Sequence, residues 1–235
     1  MSEPDSTGQR RPIRSYVIRA GRLTDCQRKA LDEHCDAFVL PFSGEALPLS
    51  SVFPTQSKLI VEIGFGMGDS LLEMARNNPG VNYLGIEVHR PGVGKLLHGI
   101  VEHGLTNLRI VCHDATEVLA QGLGPETIDR VQIFFPDPWP KKKHQKRRIV
   151  QPAFMELIRT RLKPGGEIHL ATDWQHYAEY MMEVLQCAPG LENGLGVDQY
   201  WADPQRPGTN FERRGKRLGH GVWDLLFRRS ELHRD

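Results

Sequence analysis

The sequence predicts an α/β fold built on a parallel sheet with helices on both faces. Three observations carry this expectation. From Ser57 onward, short apolar runs alternate with helical stretches, the rhythm of strands laid side by side and joined by crossover helices. The first run closes in a glycine-rich turn, Glu62-Ile63-Gly64-Phe65-Gly66-Met67-Gly68. Acids end four successive strands, Glu62, Glu87, Asp114 and Asp137, each about 25 residues beyond the last, so all four are expected along one edge of one sheet.

The elements follow in order. Residues 1–51 hold six arginines (Arg10, Arg11, Arg14, Arg19, Arg22, Arg28), several prolines and little periodicity, and read as a basic, mobile extension followed by a short cap. The domain proper is expected over residues 52–235. Lys58–Ile63 is a buried strand, Asp69–Asn77 a helix, Val81–Glu87 a second strand, and Pro91–His103 a helix. Leu108–Cys112 is a third strand, followed by a short helix near Thr116–Gln121. Ile128–Phe135 makes the fourth strand and Pro152–Leu162 a helix opened by proline in its first turn. Lys163-Pro164-Gly165-Gly166 is a turn into strand Glu167–Thr172, helix Tyr177–Gln186 follows, and Val222–Arg228 is a final strand.

At 235 residues the chain suits one large domain with an appendage. Its net charge is only +1, so affinity for a polyanion must come from local clustering rather than from the whole molecule. No apolar run approaches the roughly 18 residues of a membrane span, and the polar N-terminus lacks a secretory core, so the cytoplasm is the expected location. Cys26, Cys35, Cys112 and Cys187 form no Cys-x-x-Cys pair, and the ten histidines show no His-x-x-x-His spacing; no metal site is expected.

The motifs point to chemistry at the sheet edge. Glycines at the end of the first strand let the backbone turn sharply and bring a ligand close. The spacing is Gly-x-Gly-x-Gly, and the acid that precedes it, Glu62, would repel a pyrophosphate. It suits a ligand with a cationic amino-acid moiety, such as S-adenosylmethionine. Glu87, at the end of the second strand, can accept hydrogen bonds from ribose hydroxyls, and Asp114 from an adenine amino group. The fourth strand runs into Phe135-Pro136-Asp137-Pro138-Trp139-Pro140, where two prolines brace Asp137. Six of the eight residues after Pro140 are Lys or Arg, a strip suited to a phosphate backbone.

Four segments carry a resemblance: Val61-Glu62-Ile63-Gly64-Phe65-Gly66-Met67-Gly68; Gly85-Ile86-Glu87-Val88; Phe135–His144 with Lys146-Arg147-Arg148; and Thr209-Asn210-Phe211-Glu212-Arg213-Arg214-Gly215. Together they resemble the bacterial tRNA (guanine-N7-)-methyltransferases, within the class I S-adenosylmethionine-dependent methyltransferases. The resemblance spans residues 55–230 and implies a Rossmann-like, mostly parallel seven-stranded sheet. It implies methyl transfer from S-adenosylmethionine to N7 of a guanosine in the tRNA variable loop (position 46). Glu62, Gly64, Gly66, Gly68, Glu87 and Asp114 would hold the cofactor, and Asp137 would stand between cofactor and guanine. Lys141, Asp173, Thr209, Asn210, Phe211 and Glu212 would bind the substrate nucleotide. Lys143, His144, Gln145, Lys146, Arg147 and Arg148 would bind the tRNA.

The in-plane N7 lone pair of neutral guanine attacks without deprotonation, so the expected work is positioning. Asp137 would stabilise the cationic base that develops, or grip its N1 and amino edge, rather than act as a general base. Trp139 and Phe211 are each open to base stacking or to plain packing. Two rival readings are a non-catalytic RNA-binding module and a small-molecule or protein methyltransferase. The intact acids and glycine turn weigh against the first, and the basic strip against the second.

Overall fold

The computed structural model describes residues 15–16, 21–208, 212 and 221–231. The sheet has seven strands: β1 (Leu59–Ile63), β2 (Asn82–Ile86), β3 (Leu108–Val111), β4 (Ile128–Phe134), β5 (Leu162–Thr172), β6 (Leu191–Asn193) and β7 (Trp223–Arg229). Their spatial order is β3-β2-β1-β4-β5-β7-β6. The first five in that order pair in parallel, while β7 runs antiparallel to β5 and β6 antiparallel to β7. The strand order reverses between β1 and β4, which opens a crevice at their carboxyl ends.

The helices are α1 (Asp25–Phe38), α2 (Leu49–Val52), α3 (Asp69–Asn77), α4 (Arg90–Glu102), α5 (Ala115–Glu117), α6 (Pro152–Arg161) and α7 (Gln175–Gln186). Strand residues alternate between two cores, as a two-sided sheet requires. Val61, Ile63, Val131, Ile133, Ile168 and Leu170 pack with Met155 and Ile158 of α6 and Met181 and Leu185 of α7. Phe65, Tyr83, Ile110 and Phe134 pack on the other face with Leu71 of α3, Leu97 of α4 and Ala30 of α1.

Most predicted elements stand within a residue or two of their expected bounds. Three differ. Residues 25–38 form α1, with Cys26, Ala30, Leu31, Cys35 and Phe38 recurring at helical spacing. Its Thr24 hydroxyl accepts the Gln27 backbone N–H, and the Gln27 side chain accepts that of Thr24. This capping box was legible as Thr-x-x-Gln. The helix buries Gln27 and Ala30 and packs Leu31 and Phe38 against the second core. It lies close on α4, where a Cβ at Gly94 would stand 3.0 Å from Gln27. The chain beyond it bridges β3, with Leu40 N–H donating to the Ile110 carbonyl.

Strand β5 starts at Leu162 rather than Glu167, because the Lys163–Gly166 turn is a bulge inside the strand. Its pairing jumps from Ile128↔Leu162 to Arg130↔Glu167. Strand β6 is three residues long with only Leu191 buried, too short to leave a period in the sequence. The short helix after β3 continues as a π turn over Val118–Gly122.

Candidate active site

The ends of β1, β2, β3 and β4 enclose a cavity of about 410 Å³. Glu62, Gly64, Gly66, Gly68, Glu87, Asp114 and Asp137 all line it. The glycine turn explains how. Gly64, Gly66 and Gly68 have φ of +72°, +59° and +78°, a region that side chains disfavour. A Cβ on Gly64 or Gly66 would meet no protein atom within 4 Å, so the turn leaves open space there. Beneath it, a Cβ on Gly92 of α4 would stand 1.8 Å from the Gly66 carbonyl oxygen. Only glycine allows that helix so close, and nothing in the sequence pattern marked Gly92 as part of the site.

The acids differ in their surroundings. Glu62 lies within β1, 3% exposed, and its Oε2 is buried without a hydrogen-bond partner. Burial, and then the neighbouring Glu87 charge, push its carboxyl up to about 8, against the pull of Arg206. Glu87 accepts the backbone N–H groups of Val88 and His89 on Oε1 and that of Gly66 on Oε2, at 2.7–2.9 Å, which leaves Oε2 room for a further donor. It therefore pins the glycine turn as well as facing the cavity. Asp114 caps α5 by accepting the Thr116 N–H at 2.8 Å.

Asp137 is exposed at the cavity mouth, in a turn bracketed by two residues in the left-handed region, Phe135 (φ +51°) and Trp139 (φ +42°). Each precedes a proline, which disfavours helical backbone further, so the turn stores strain of roughly 1–3 kcal/mol per residue. Specific contacts hold it. Phe135 N–H donates to the Ala171 carbonyl at 2.8 Å, and Arg148 Nε to the Pro138 carbonyl at 2.9 Å. The Trp139 indole N–H points to the Ser15 carbonyl at 3.4 Å, and the Arg147 guanidinium lies 5.1 Å over its ring. Trp139 is thus engaged in packing.

The basic strip is a 3-10 helix, Lys142–Arg147, preceded by Lys141. Lys141, Lys142, Lys143 and Lys146 are exposed, while His144, Gln145 and Arg147 are half-buried. Arg148 corrects the sequence reading. It is 2% exposed, with its guanidinium 4.6 Å and 4.9 Å over Tyr177 and Tyr180, so it faces inward as the clamp of the Asp137 turn and not outward toward a phosphate.

Beyond the cavity, Asp173 is half-buried just past β5. Glu212 is buried and accepts from Arg206 at 2.6 Å. Arg206, unmarked by any sequence signal, is a hub. It also donates to both carboxylate oxygens of Asp224 at 2.7 and 2.8 Å and covers the rings of Phe134 and Phe135. His169 Nε2 stands 2.7 Å from the same Asp224. In register across β1, β4 and β5, Glu62, Gln132 and His169 form a buried polar row that leads from the cavity to this hub. Thr209, Asn210 and Phe211 lie outside the described residues, as do Arg10, Arg11, Arg14 and Arg19. Among the described residues, no helix is long and apolar enough to cross a membrane, and no group of three His, Cys, Asp or Glu side chains could hold a metal.

Known proteins share this architecture. Residues 56–225 match the family described as "Putative methyltransferase". The 16S rRNA methyltransferase KamB superposes with a TM-score of 0.59 at 16% identity, over 82% of this chain and 99% of its own. An S-adenosylmethionine-dependent O-methyltransferase from Thermotoga maritima gives 0.51 at 15% identity, over 80% and 63%. At such identities these show the fold alone, the Rossmann-like class I methyltransferase sheet. Nearer relatives are tRNA (guanine-N(7)-)-methyltransferases. That of Shewanella amazonensis is 52% identical over 94% of this chain and 93% of its own. That of Pseudomonas aeruginosa is 50% identical over 98% and 95%. With half its residues shared over nearly its whole length, and with the glycine turn, strand-end acids and basic helix gathered at one sheet edge, the chain belongs to the bacterial tRNA (guanine-N7-)-methyltransferase family.

Proposed function

We propose that this protein transfers the methyl group of S-adenosylmethionine to N7 of a guanosine in tRNA, in the variable loop at position 46. One observation carries the reading. The cavity that holds the unpartnered Glu62 oxygen opens at Asp137, and the cationic 3-10 helix begins within five residues of that carboxylate.

The residues fit the cofactor. Glu62 offers a buried, unpaired acceptor to its ammonium group, and the glycine turn leaves space that a Cβ would fill. Asp114 keeps a free lone pair for an adenine amino group, and Glu87 lies where ribose hydroxyls would come. When bound, S-adenosylmethionine supplies an electrophilic methyl group on a sulfonium. The chain's own work is to aim the N7 lone pair along the line of attack and to face the cationic base with a carboxylate. Asp137 does the second, from a turn that the Phe135 and Arg148 hydrogen bonds hold in its strained backbone. Lys141, Asp173 and the 209–212 segment would grip the substrate nucleotide. Lys143, Lys146 and Arg147 would carry the phosphate contacts, with His144 and Gln145 beside them.

The test is incubation with labelled S-adenosylmethionine and unmodified tRNA, then nucleoside analysis. The expected product is 7-methylguanosine at one site, lost when the variable-loop guanosine is replaced. Labelled tRNA with the methyl group on another atom or base would overturn the assignment.

A further inference from the structure

In-line attack by N7 sets a requirement that the residues above do not meet. The lone pair lies in the ring plane, so the base must approach edge-on, and its orientation is fixed only if something holds its face. An aromatic side chain does this for any base. Trp139 is already covered by Arg147, meets His144 edge-on and points its N–H at Ser15. Phe135 lies half-buried under Arg206.

Trp174 is different. It is one of three large hydrophobic side chains exposed among the described residues, at 42%. Its mount is rigid. Its backbone N–H donates to the Oγ1 of buried Thr172 at 3.2 Å, and its carbonyl accepts Tyr177 and Ala178 N–H at 2.9 and 3.0 Å in the first turn of α7. Its place is central to the acceptor side. Ala171, three residues earlier, is bonded to Phe135, two residues before Asp137. On its other flank Ala171 pairs with Asp224, which holds Arg206 and through it Glu212. The carboxyl end of β5 therefore stands between the Asp137 turn and the strand that holds Arg206 and, through it, Glu212, and Trp174 follows three residues past Ala171.

We propose that Trp174 is the stacking platform for the target guanine, a positioning residue that presents N7 edge-on to the methyl group. The inference rests on the proposed guanine-N7 activity. An exposed indole on a backbone held by hydrogen bonds has two side-chain torsions to order and accepts any purine, while Asp137 and the edge contacts select guanine.

The experiment compares wild type, Trp174→Ala and Trp174→Phe with unmodified tRNA. It follows single-turnover methyl transfer at saturating tRNA, tRNA affinity, S-adenosylmethionine affinity and melting temperature. Trp174→Ala is expected to slow transfer about 10-fold or more. Its tRNA affinity should weaken less than 3-fold, since phosphate contacts dominate it (roughly). Trp174→Phe should recover most of the rate. Cofactor affinity and melting temperature should stay unchanged. Indole emission should fall on adding tRNA to wild type by more than in Trp174→Phe. Full-rate transfer by Trp174→Ala would overturn the proposal. So would a loss confined to tRNA affinity, which would mean a flanking base, or a rate loss that tracks a fall in melting temperature. A wild type that makes no 7-methylguanosine would instead sink the functional reading beneath it.

Discussion

At the scale of single residues, the strand-end acids that look alike in sequence have unlike tasks. Glu62 is the one poised to change its charge. Its folded pKa, about 8, lies above its usual 4.5, so the folded chain holds this proton more tightly than the unfolded one. The stability this gives is complete below about pH 4.5 and is lost as pH rises to about 8. Denaturant unfolding across that window should show wild type losing stability relative to Glu62→Gln, which has no proton to give up. Cofactor binding should release that proton below pH 8, seen as a buffer-dependent binding heat that Glu62→Gln abolishes, together with about 10-fold or more of its affinity. A pH-flat difference between the two proteins would remove Glu62 from this role. For Asp137→Asn, which keeps size but loses charge, single-turnover transfer should fall about 100-fold while cofactor and tRNA affinities change far less. Transfer at the wild-type rate would end the case for its carboxylate.

At the scale of elements, the segment after β4 divides into a strained turn, an inward clamp and an outward cationic helix. Substituting the clamp and substituting the helix should therefore fail differently. Lys146→Ala with Arg147→Ala should weaken tRNA binding and make its log–log salt dependence shallower by about 1–2 units. Arg148→Ala should leave that slope unchanged. It frees the Pro138 carbonyl and two tyrosine faces, so it should lower the melting temperature and the transfer rate together. Filter binding over a salt series separates the two; a shallower slope in Arg148→Ala would place its guanidinium on the RNA after all. A run of like charges in sequence carries no sign of which member turns inward. That depended on where Tyr177 and Tyr180 of α7 stand.

At the scale of the whole molecule, Arg206 ties the antiparallel end of the sheet to the cavity. Burial alone would lower its pKa and raise that of Asp224, yet their hydrogen bonds outweigh it, raising Arg206 and lowering Asp224. Removing the guanidinium leaves two buried carboxylates without it, a loss of about 3–5 kcal/mol. Arg206→Ala should thus unfold at clearly lower denaturant. It should also lose the stability that wild type draws from the depressed Asp224, which is present above the ordinary carboxylate range and disappears as pH falls through the lowered value. Urea melts at neutral and acid pH test both; an Arg206→Ala protein as stable as wild type would show that the hub is dispensable.

What the chain determined by itself is what depends on local chemistry and period. The alternation of apolar runs set the parallel strands and their helices. The Gly-x-Gly-x-Gly turn, the strand-end acids and the proline-braced Asp137 could be read because turn geometry and strand polarity place such residues at the same sheet edge in any α/β chain. The capping box of Thr24 and Gln27 and the helical spacing of Ala30, Leu31 and Phe38 were open to the same kind of reading, which did not extend to them. The tertiary structure alone decided the rest, because it concerns partners distant along the chain. Gly92 could be seen as part of the site only once α4 lay against the Gly66 carbonyl. Glu87 became a pin for the glycine turn through a bond across 21 residues. The Arg206 hub joins Glu212 to Asp224, 18 residues beyond the arginine, and Asp224 to His169, 55 residues before it. Trp174 reads as any aromatic at a helix start until the bond of Ala171 to Phe135 and its pairing with Asp224 place the end of β5. Such contacts leave no periodic trace, since each depends on two segments whose meeting only the packed sheet arranges.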